Sequence, residues 1–182
     1  MKKWKLLASE YICKAPWATL RRDTCELPNG KINDHYYVLE YPNWVNMVGI
    51  TTDNKLIIIK QYRHAAGEII LEIPAGTMEP GEEPQYAAER EMLEETGYQF
   101  SKIEKIAELY ANPATSKNIT HTYLMQGGVK VQEQDLDESE DIDVFLVSIE
   151  EAKELLLQNK FGQALQSSAL FYAFHKLKIF EA

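Results

Sequence analysis

From residue 44 onward, short apolar runs alternate with turn residues. Two of these runs, WVNMVGITT at 44–52 and KLIIIKQYR at 55–63, flank the polar pair Asp53-Asn54. Runs rich in β-branched residues on either side of a two-residue turn are typical of a β-hairpin. The run IILEI at 69–73 predicts a short buried strand, and further strand patterns lie near 103–111, 120–126 and 142–148. The pattern therefore predicts a sheet of several strands.

Three segments show helical signals instead. Pro84 suits the first turn of a helix and Gly97 suits the left-handed position just past its end, so 84–96 is predicted to be one helix. Two more helices, roughly 149–159 and 163–178, close the chain. Strands mixed with helices predict an α/β domain.

The first forty residues differ from the rest because they contain strand patterns and no helix signal. Residues 18–40 read as a hairpin around the turn Pro28-Asn29-Gly30. A boundary near Tyr41-Pro42-Asn43 would separate an N-terminal antiparallel β-domain, 1–42, from an α/β domain, 43–182.

Composition and charge narrow the function. The chain has 182 residues, a net charge of −9 and no clustered Lys and Arg, which argues against nucleic acid as a partner. No apolar run approaches the roughly 20 residues that span a bilayer, and no signal peptide is recognisable. We therefore expect a cytoplasmic protein with no membrane contact and two reduced cysteines. An acidic chain can still bind a phosphate compound if a divalent cation stands between carboxylate and phosphate.

Acidic residues crowd the segment 76–98, where seven of twenty-three residues are glutamate. On a helix over 84–96, the side chains of Glu91, Glu94 and Glu95 fall within an arc of about 100°. Composition alone favours a solvated surface helix. Three carboxylates on one face repel each other, however, so this arrangement is expected only where a nearby positive charge neutralises them. Arg90 is one candidate, since it can pair with Glu94 at i+4.

The spacing of this segment resembles the Nudix box. Gly76 is followed by five residues, Glu82, seven residues and then REMLEETGY at 90–98. The resemblance implies a Nudix α/β/α sandwich with a mixed sheet, and hydrolysis of a nucleoside diphosphate linked to another group. It also implies bound Mg²⁺, with Mn²⁺ as the alternative. Glu91, Glu95 and the Ala75 carbonyl would be metal ligands, with Glu94 bridging or supporting them and Arg90 orienting the carboxylates.

Flanking motifs resemble the ADP-ribose pyrophosphatases and related nucleotide-sugar hydrolases. They are QYR at 61–63, LEIPAG at 71–76 and Pro113, sixteen residues past Gly97. The resemblance implies that Arg63 and Pro113 lie at the substrate. It also implies that the acidic loop DLDESEDIDV, 135–144, carries the general base, with Glu138 aligned to it and Glu140 beside it. A carboxylate that deprotonates water is chemically suited to that role.

The N-terminal segment fits the same subgroup, in which such a domain exchanges contacts with a partner subunit and completes the adenine pocket. Trp17 would stack on the base, with Tyr36 or Tyr37 opposite, although a plain core or interface role for Trp17 is equally open. The resemblance thus implies a homodimer that cleaves ADP-ribose to AMP and ribose 5-phosphate.

Other substrates stay open. Lys117 stands where many ADP-ribose pyrophosphatases have an acid, which leaves the sugar half of the substrate undecided. The alternatives are GDP-mannose, NADH or another nucleotide conjugate, and a non-catalytic nucleotide-binding regulator. A regulator would be expected to lose box carboxylates, and here all are kept.

Overall fold

The computed structural model of the protein describes residues 1–181, which form two compact units. The first comprises residues 1–42 and 110–119, and the second comprises residues 43–109 together with residue 120 onward. The chain thus passes from the first unit to the second at Pro42/Asn43, and one later loop returns to the first.

The first unit is built on a three-stranded antiparallel sheet in the order β1-β2-β3. Its strands are β1 (Lys5–Ala15), β2 (Ala18–Glu26) and β3 (Ile32–Glu40). The returning loop lies along β3, where the Leu39 N–H donates to Thr115 O at 2.7 Å and the Tyr36 hydroxyl donates to Ala114 O at 2.8 Å. The sequence pattern did not predict β1. All eleven of its residues are exposed, so it lacks the alternation of buried and exposed positions that identifies a strand.

The second unit contains an eight-stranded mixed sheet with the central order β11-β5-β4-β10-β8. Two strands, β4 and β10, run parallel, and the pairs β4–β5, β4–β7, β5–β6, β5–β11 and β8–β10 are antiparallel. The strands are β4 (Trp44–Thr51), β5 (Lys55–Arg63), β6 (Glu68–Glu72), β7 (Ala75–Thr77), β8 (Tyr98–Gln99), β9 (Lys102–Tyr110), β10 (Ile119–Lys130) and β11 (Ile142–Ser148). The predicted strand at 69–73 exists as β6, but its expected burial is wrong, because Ile69 is 70% exposed. Among the strands of the described residues it pairs with β5, and its other contact is an isolated bridge between Leu71 and Phe161.

Helices cover both faces of this sheet. They are α1 (Pro84–Thr96), α2 (Ile149–Leu157) and α3 (Ala164–Lys176), followed by a short 3₁₀ turn at Ile179–Glu181. Successive side chains of β5 point to opposite faces of the sheet. Leu56 and Ile58 pack with α2 and α3, whereas Ile57 packs with α1. The result is the predicted α/β/α sandwich with a mixed sheet. Among residues 1–181, no helix is long and apolar enough to cross a membrane.

Candidate active site

The helix α1 presents the acidic residues, and its ends are those expected from the sequence. It begins at Pro84 and is closed by Gly97, whose φ of 77° is left-handed and whose N–H donates to Leu93 O at 2.8 Å. A side chain at position 97 would also collide with the backbone oxygen of Gln132.

One arginine joins the carboxylates of this helix. Arg90 Nε donates to Glu82 Oε1 at 2.9 Å, and its Nη1 donates to Glu91 Oε1 at 3.0 Å and Glu94 Oε2 at 2.9 Å. Its Nη2 donates to Thr77 O at 3.1 Å, which ties the helix to β7. The predicted pair with Glu94 is present. The hydrogen bond to Glu82 is the main reason that the pKa of Arg90 is raised, and the same bond lowers the pKa of Glu82.

Two carboxylates of α1 are buried against β7. Glu91 is 9% exposed and Glu95 is 3% exposed. The N–H of Ala75 donates to Glu95 Oε2 at 3.1 Å. Gly76 lies so close to Glu91 that a Cβ at position 76 would overlap its carboxyl group. The glycine therefore makes room for a carboxylate.

This burial is electrostatically unfavourable. Desolvation raises the pKa of Glu95 well above its ordinary value, and the neighbouring charge of Glu91 adds to the effect. Desolvation also raises the pKa of Glu91, although Arg90 opposes it. The charge of Arg63 lowers the pKa of Glu95, but neither this effect nor that of Arg90 on Glu91 offsets the desolvation, so both buried carboxylates remain short of positive charge.

The donor set suits a hard divalent cation, because it consists of carboxylate oxygens and the nearby backbone of β7. Among the described residues, however, no group of three or more His, Cys, Asp and Glu side chains already converges as a metal centre. Arg90 holds Glu91 and Glu94 through one nitrogen, Nη1. Each of these two carboxylates uses one oxygen toward Arg90, and its other oxygen is not part of that contact.

The acidic loop brings one of its two candidate bases toward this cluster. The charge of Glu140 raises the pKa of both Glu91 and Glu95 and supports the raised pKa of Arg63, so Glu140 lies within electrostatic reach of all three. Its carboxylate also accepts from the Asp137 N–H at 3.1 Å. Glu138 is exposed at the turn between them.

Arg63 is held by a buried carboxylate that the sequence analysis did not single out. Its Nε and Nη2 donate to the two oxygens of Glu72, at 3.0 and 2.5 Å. Glu72 is 1% exposed, and the Arg63 side chain remains 42% exposed. The hydrogen bond to Glu72 raises the pKa of Arg63 further. The sequence contains a signal for this ion pair, because Glu72 is a charged residue inside the apolar run IILEI.

A cavity of about 440 Å³ is lined in part by β7. Its lining includes Arg63, Gly76, Asn46 and Gln166. Asn46 is buried, and its Nδ2 has no hydrogen-bond partner among the described residues. The size falls within the range of ligand sites, and Arg63 and Asn46 supply hydrogen-bond donors.

The two remaining predicted site residues belong to the first unit. Trp17 stands at the tip of the β1–β2 hairpin with φ of 61° and 72% exposure. Pro113 lies in the returning loop and lines a cavity of about 330 Å³ with Trp4 and Tyr36. The structure places Pro113, but not Trp17, in the lining of this cavity.

Comparison with known proteins identifies the family. A family model for the NUDIX domain matches residues 41–167, and a model for the nucleoside diphosphate sugar hydrolase N-terminal domain matches residues 4–39. The chain therefore belongs to the Nudix hydrolase family, as the box predicts. Hydrolases of this family generally require a divalent cation.

Individual relatives extend over nearly the whole chain. It is 36% identical over 169 residues to an ADP-ribose pyrophosphatase of Bacillus subtilis, covering 92% of this chain and 91% of that protein. It is 32% identical to a methanol dehydrogenase activator of Bacillus methanolicus, covering 86% and 84%. A crystal structure of an ADP compounds hydrolase, 24% identical, has the same fold, with a TM-score of 0.87 over 99% of this chain and 97% of that one.

Proposed function

We propose that this protein is a Mg²⁺-dependent hydrolase of nucleoside diphosphate sugars, and that ADP-ribose is its first candidate substrate. Water would add across the diphosphate bond, giving AMP and ribose 5-phosphate. The observation that carries the proposal is the buried pair Glu91 and Glu95 beside Gly76, because its excess negative charge suits a divalent cation. The relatives named ADP-ribose pyrophosphatase support the choice of substrate.

Each residue of the site has a distinct role in this proposal. Glu91, Glu95 and the Ala75 carbonyl would hold the cation, with Glu94 bridging or supporting them. When bound, the cation neutralises charge on the diphosphate oxygens. Arg90 keeps the carboxylates oriented through its bonds to Glu82 and Glu91.

The proton acceptor belongs to the acidic loop. We expect Glu140 or Glu138 to take a proton from the attacking water. The sequence favours Glu138, whereas the electrostatic influence of Glu140 on Glu91 and Glu95 favours Glu140. Arg63 would contact the diphosphate, because guanidinium binds phosphate oxygens well. Trp17 and Pro113 would contribute to the substrate pocket in the assembled protein.

The test is a panel of ADP-ribose, GDP-mannose, NADH and ADP-glucose, assayed with Mg²⁺, with Mn²⁺ and with excess EDTA. Products are identified by chromatography. We expect mononucleotide release that depends on the cation and is fastest with ADP-ribose. Full turnover in EDTA would overturn metal dependence. One relative, 27% identical, is named a GDP-mannose pyrophosphatase. If GDP-mannose is cleaved faster than ADP-ribose, GDP-mannose becomes the proposed substrate.

The relative named as an activator of methanol dehydrogenase supports a second candidate, a role in activating another enzyme. The two candidates separate on the same panel. If the protein binds Mn²⁺ in calorimetry but cleaves no conjugate of the panel, the activator role is favoured over hydrolysis of nucleoside diphosphate sugars.

A further inference from the structure

The C-terminal helix α3 contributes one side chain, Gln166, to the loop that carries the site. Gln166 is 1% exposed. Its Oε1 accepts from the Ile73 N–H at 2.9 Å, and its Nε2 donates to Glu72 Oε2 at 3.1 Å. A buried amide that satisfies two groups from one distant segment fixes the position of that segment.

The hydrogen bond from Gln166 to Glu72 acts on Arg63. Glu72 receives two hydrogen bonds from Arg63 and a third from Gln166. The two-bond contact fixes the plane of the guanidinium group, and the Gln166 amide in turn fixes the carboxylate. Because the Arg63 side chain is 42% exposed, it can meet a ligand while it is held in this way.

The hydrogen bond from the Ile73 N–H to Gln166 acts on the backbone beside the carboxylates. Ile73 is followed by Pro74, whose carbonyl accepts from the Met47 N–H at 2.9 Å, and by Ala75, whose N–H donates to Glu95. The β4 strand and α1 therefore hold this segment from two directions, and Gln166 holds it from a third. The segment ends at the carbonyl that the proposed function assigns to the cation.

We propose that Gln166 is a positioning residue with two separable actions, one on the substrate-binding arginine through Glu72 and one on the cation-facing backbone through Ile73. This inference rests on the proposed function. Helix α3 lies outside the Nudix box, yet through Gln166 it would position both the substrate-binding arginine and the cation-facing backbone.

Two substitutions separate the two actions. Gln166→Met keeps the approximate size and removes both hydrogen bonds. We expect it to raise KM roughly tenfold, the scale of one charge-assisted hydrogen bond, and to weaken Mn²⁺ binding in calorimetry. Gln166→Glu keeps an acceptor for the Ile73 N–H but replaces the donor to Glu72 with a second carboxylate, which repels it. It should raise KM at least as much as Gln166→Met and should not weaken Mn²⁺ binding, because the Ile73 bond is kept and the added charge is negative.

The Arg63→Ala background tests the route of the first action. If Gln166 acts on substrate through Arg63, then Gln166→Met should change KM by less than twofold once Arg63 is absent, because coupled residues are not additive. The matched control is Ser168→Ala, which removes a hydrogen bond inside α3, to Ala164 O, and should leave both readouts unchanged.

Three results would overturn the inference. They are a Gln166→Met variant with wild-type KM and Mn²⁺ affinity, an equal rise in KM with and without Arg63, and equal loss of Mn²⁺ affinity in the Met and Glu variants. Calorimetry with Mn²⁺ needs no substrate. A wild type that cleaves nothing would therefore count against the proposed function, while the backbone action of Gln166 would still be tested.

Discussion

Glu95 is the most buried carboxylate of α1, and its surroundings favour the protonated form. Desolvation and the charge of Glu91 raise its pKa, and among the described residues the one hydrogen bond to its carboxylate comes from the Ala75 N–H. Function and stability should therefore oppose each other at this residue.

The change Glu95→Gln keeps the shape and removes one metal-ligand charge. Turnover should fall on the order of 10²-fold or more. The cation-free variant should nevertheless melt at a higher temperature than the cation-free wild type at pH 7.5, because folding no longer buries a carboxyl group that is ionised and hydrated in the unfolded chain. Thermal unfolding in EDTA, with and without added Mg²⁺, checks this. If Glu95→Gln turns over at the wild-type rate, Glu95 is not a metal ligand and has only a structural role.

The same residue predicts a pH dependence. Since the pKa of Glu95 is higher in the folded state than its ordinary value of 4.5, the folded protein holds this proton more tightly than the unfolded chain. Its contribution to the free energy of unfolding is thus largest at low pH and is lost as pH rises from 4.5 through the raised pKa. Cation binding needs the ionised form, so stabilisation by Mg²⁺ should be larger at pH 8 than at pH 5. Equal stabilisation at both values would contradict this.

Glu138 and Glu140 can be told apart by single substitutions. A base should lower the rate by ~10²–10⁴-fold when it is replaced by glutamine, and should leave metal affinity nearly unchanged. The electrostatic reach of Glu140 leads us to expect the larger effect from Glu140→Gln. Rates are measured together with Mn²⁺ binding. If only Glu138→Gln is slow, Glu138 is the base, as the sequence predicts. Normal rates in both variants would direct attention to Glu94.

At the scale of elements, the C-terminal end of α1 anchors the acidic loop. Helix carbonyls that lack partners inside the helix are satisfied by the segment leading into that loop. Asp135 N donates to Glu94 O at 2.9 Å, and Gln134 Nε2 donates to Glu95 O at 2.8 Å and to Ile142 O at 2.9 Å. Gln134 thus links the helix that holds the carboxylates to both ends of the loop that holds the candidate bases.

We therefore expect Gln134→Leu to lower kcat several-fold to tenfold, because two hydrogen bonds that position the loop are lost. Mn²⁺ affinity should change little, since the carboxylates stay on α1. The neighbouring exposed residue provides the control, Gln132→Ala, which keeps the backbone bond to Gly97 O. Equal effects of the two substitutions on kcat would remove the special role of Gln134.

At the scale of the whole molecule, the N-terminal sheet exposes unusually many apolar side chains. Along β1 and its ends these are Trp4, Leu6, Leu7, Tyr11, Ile12 and Trp17, each at least 45% exposed. Apolar patches of this kind mark interaction surfaces. A three-stranded sheet of about 40 residues also has little core of its own.

We predict that a second copy of the chain covers this surface and that the protein is a homodimer. Light scattering at micromolar concentration should return twice the chain mass of 20.9 kDa. Ile12→Lys should shift the protein toward the monomer, whereas Lys14→Ala on the same strand should not. A monomeric wild type would refute the prediction.

Local signals in the sequence determined the helix at 84–96, its two ends, the longer strands of the central sheet and the family, but not the short strands β7 and β8. Each depends on residues close along the chain: Pro84 and Gly97 act on backbone angles, and the spacing of Glu91 to Glu95 places both on one face. Tertiary structure decided what happens to those side chains. It buried Glu91 and Glu95 against β7 and gave Arg90 three carboxylate partners. It also joined Gln166 to Glu72 across 94 positions. The physical reason is that burial and long-range hydrogen bonds depend on which faces of distant elements meet, and no local pattern contains that information.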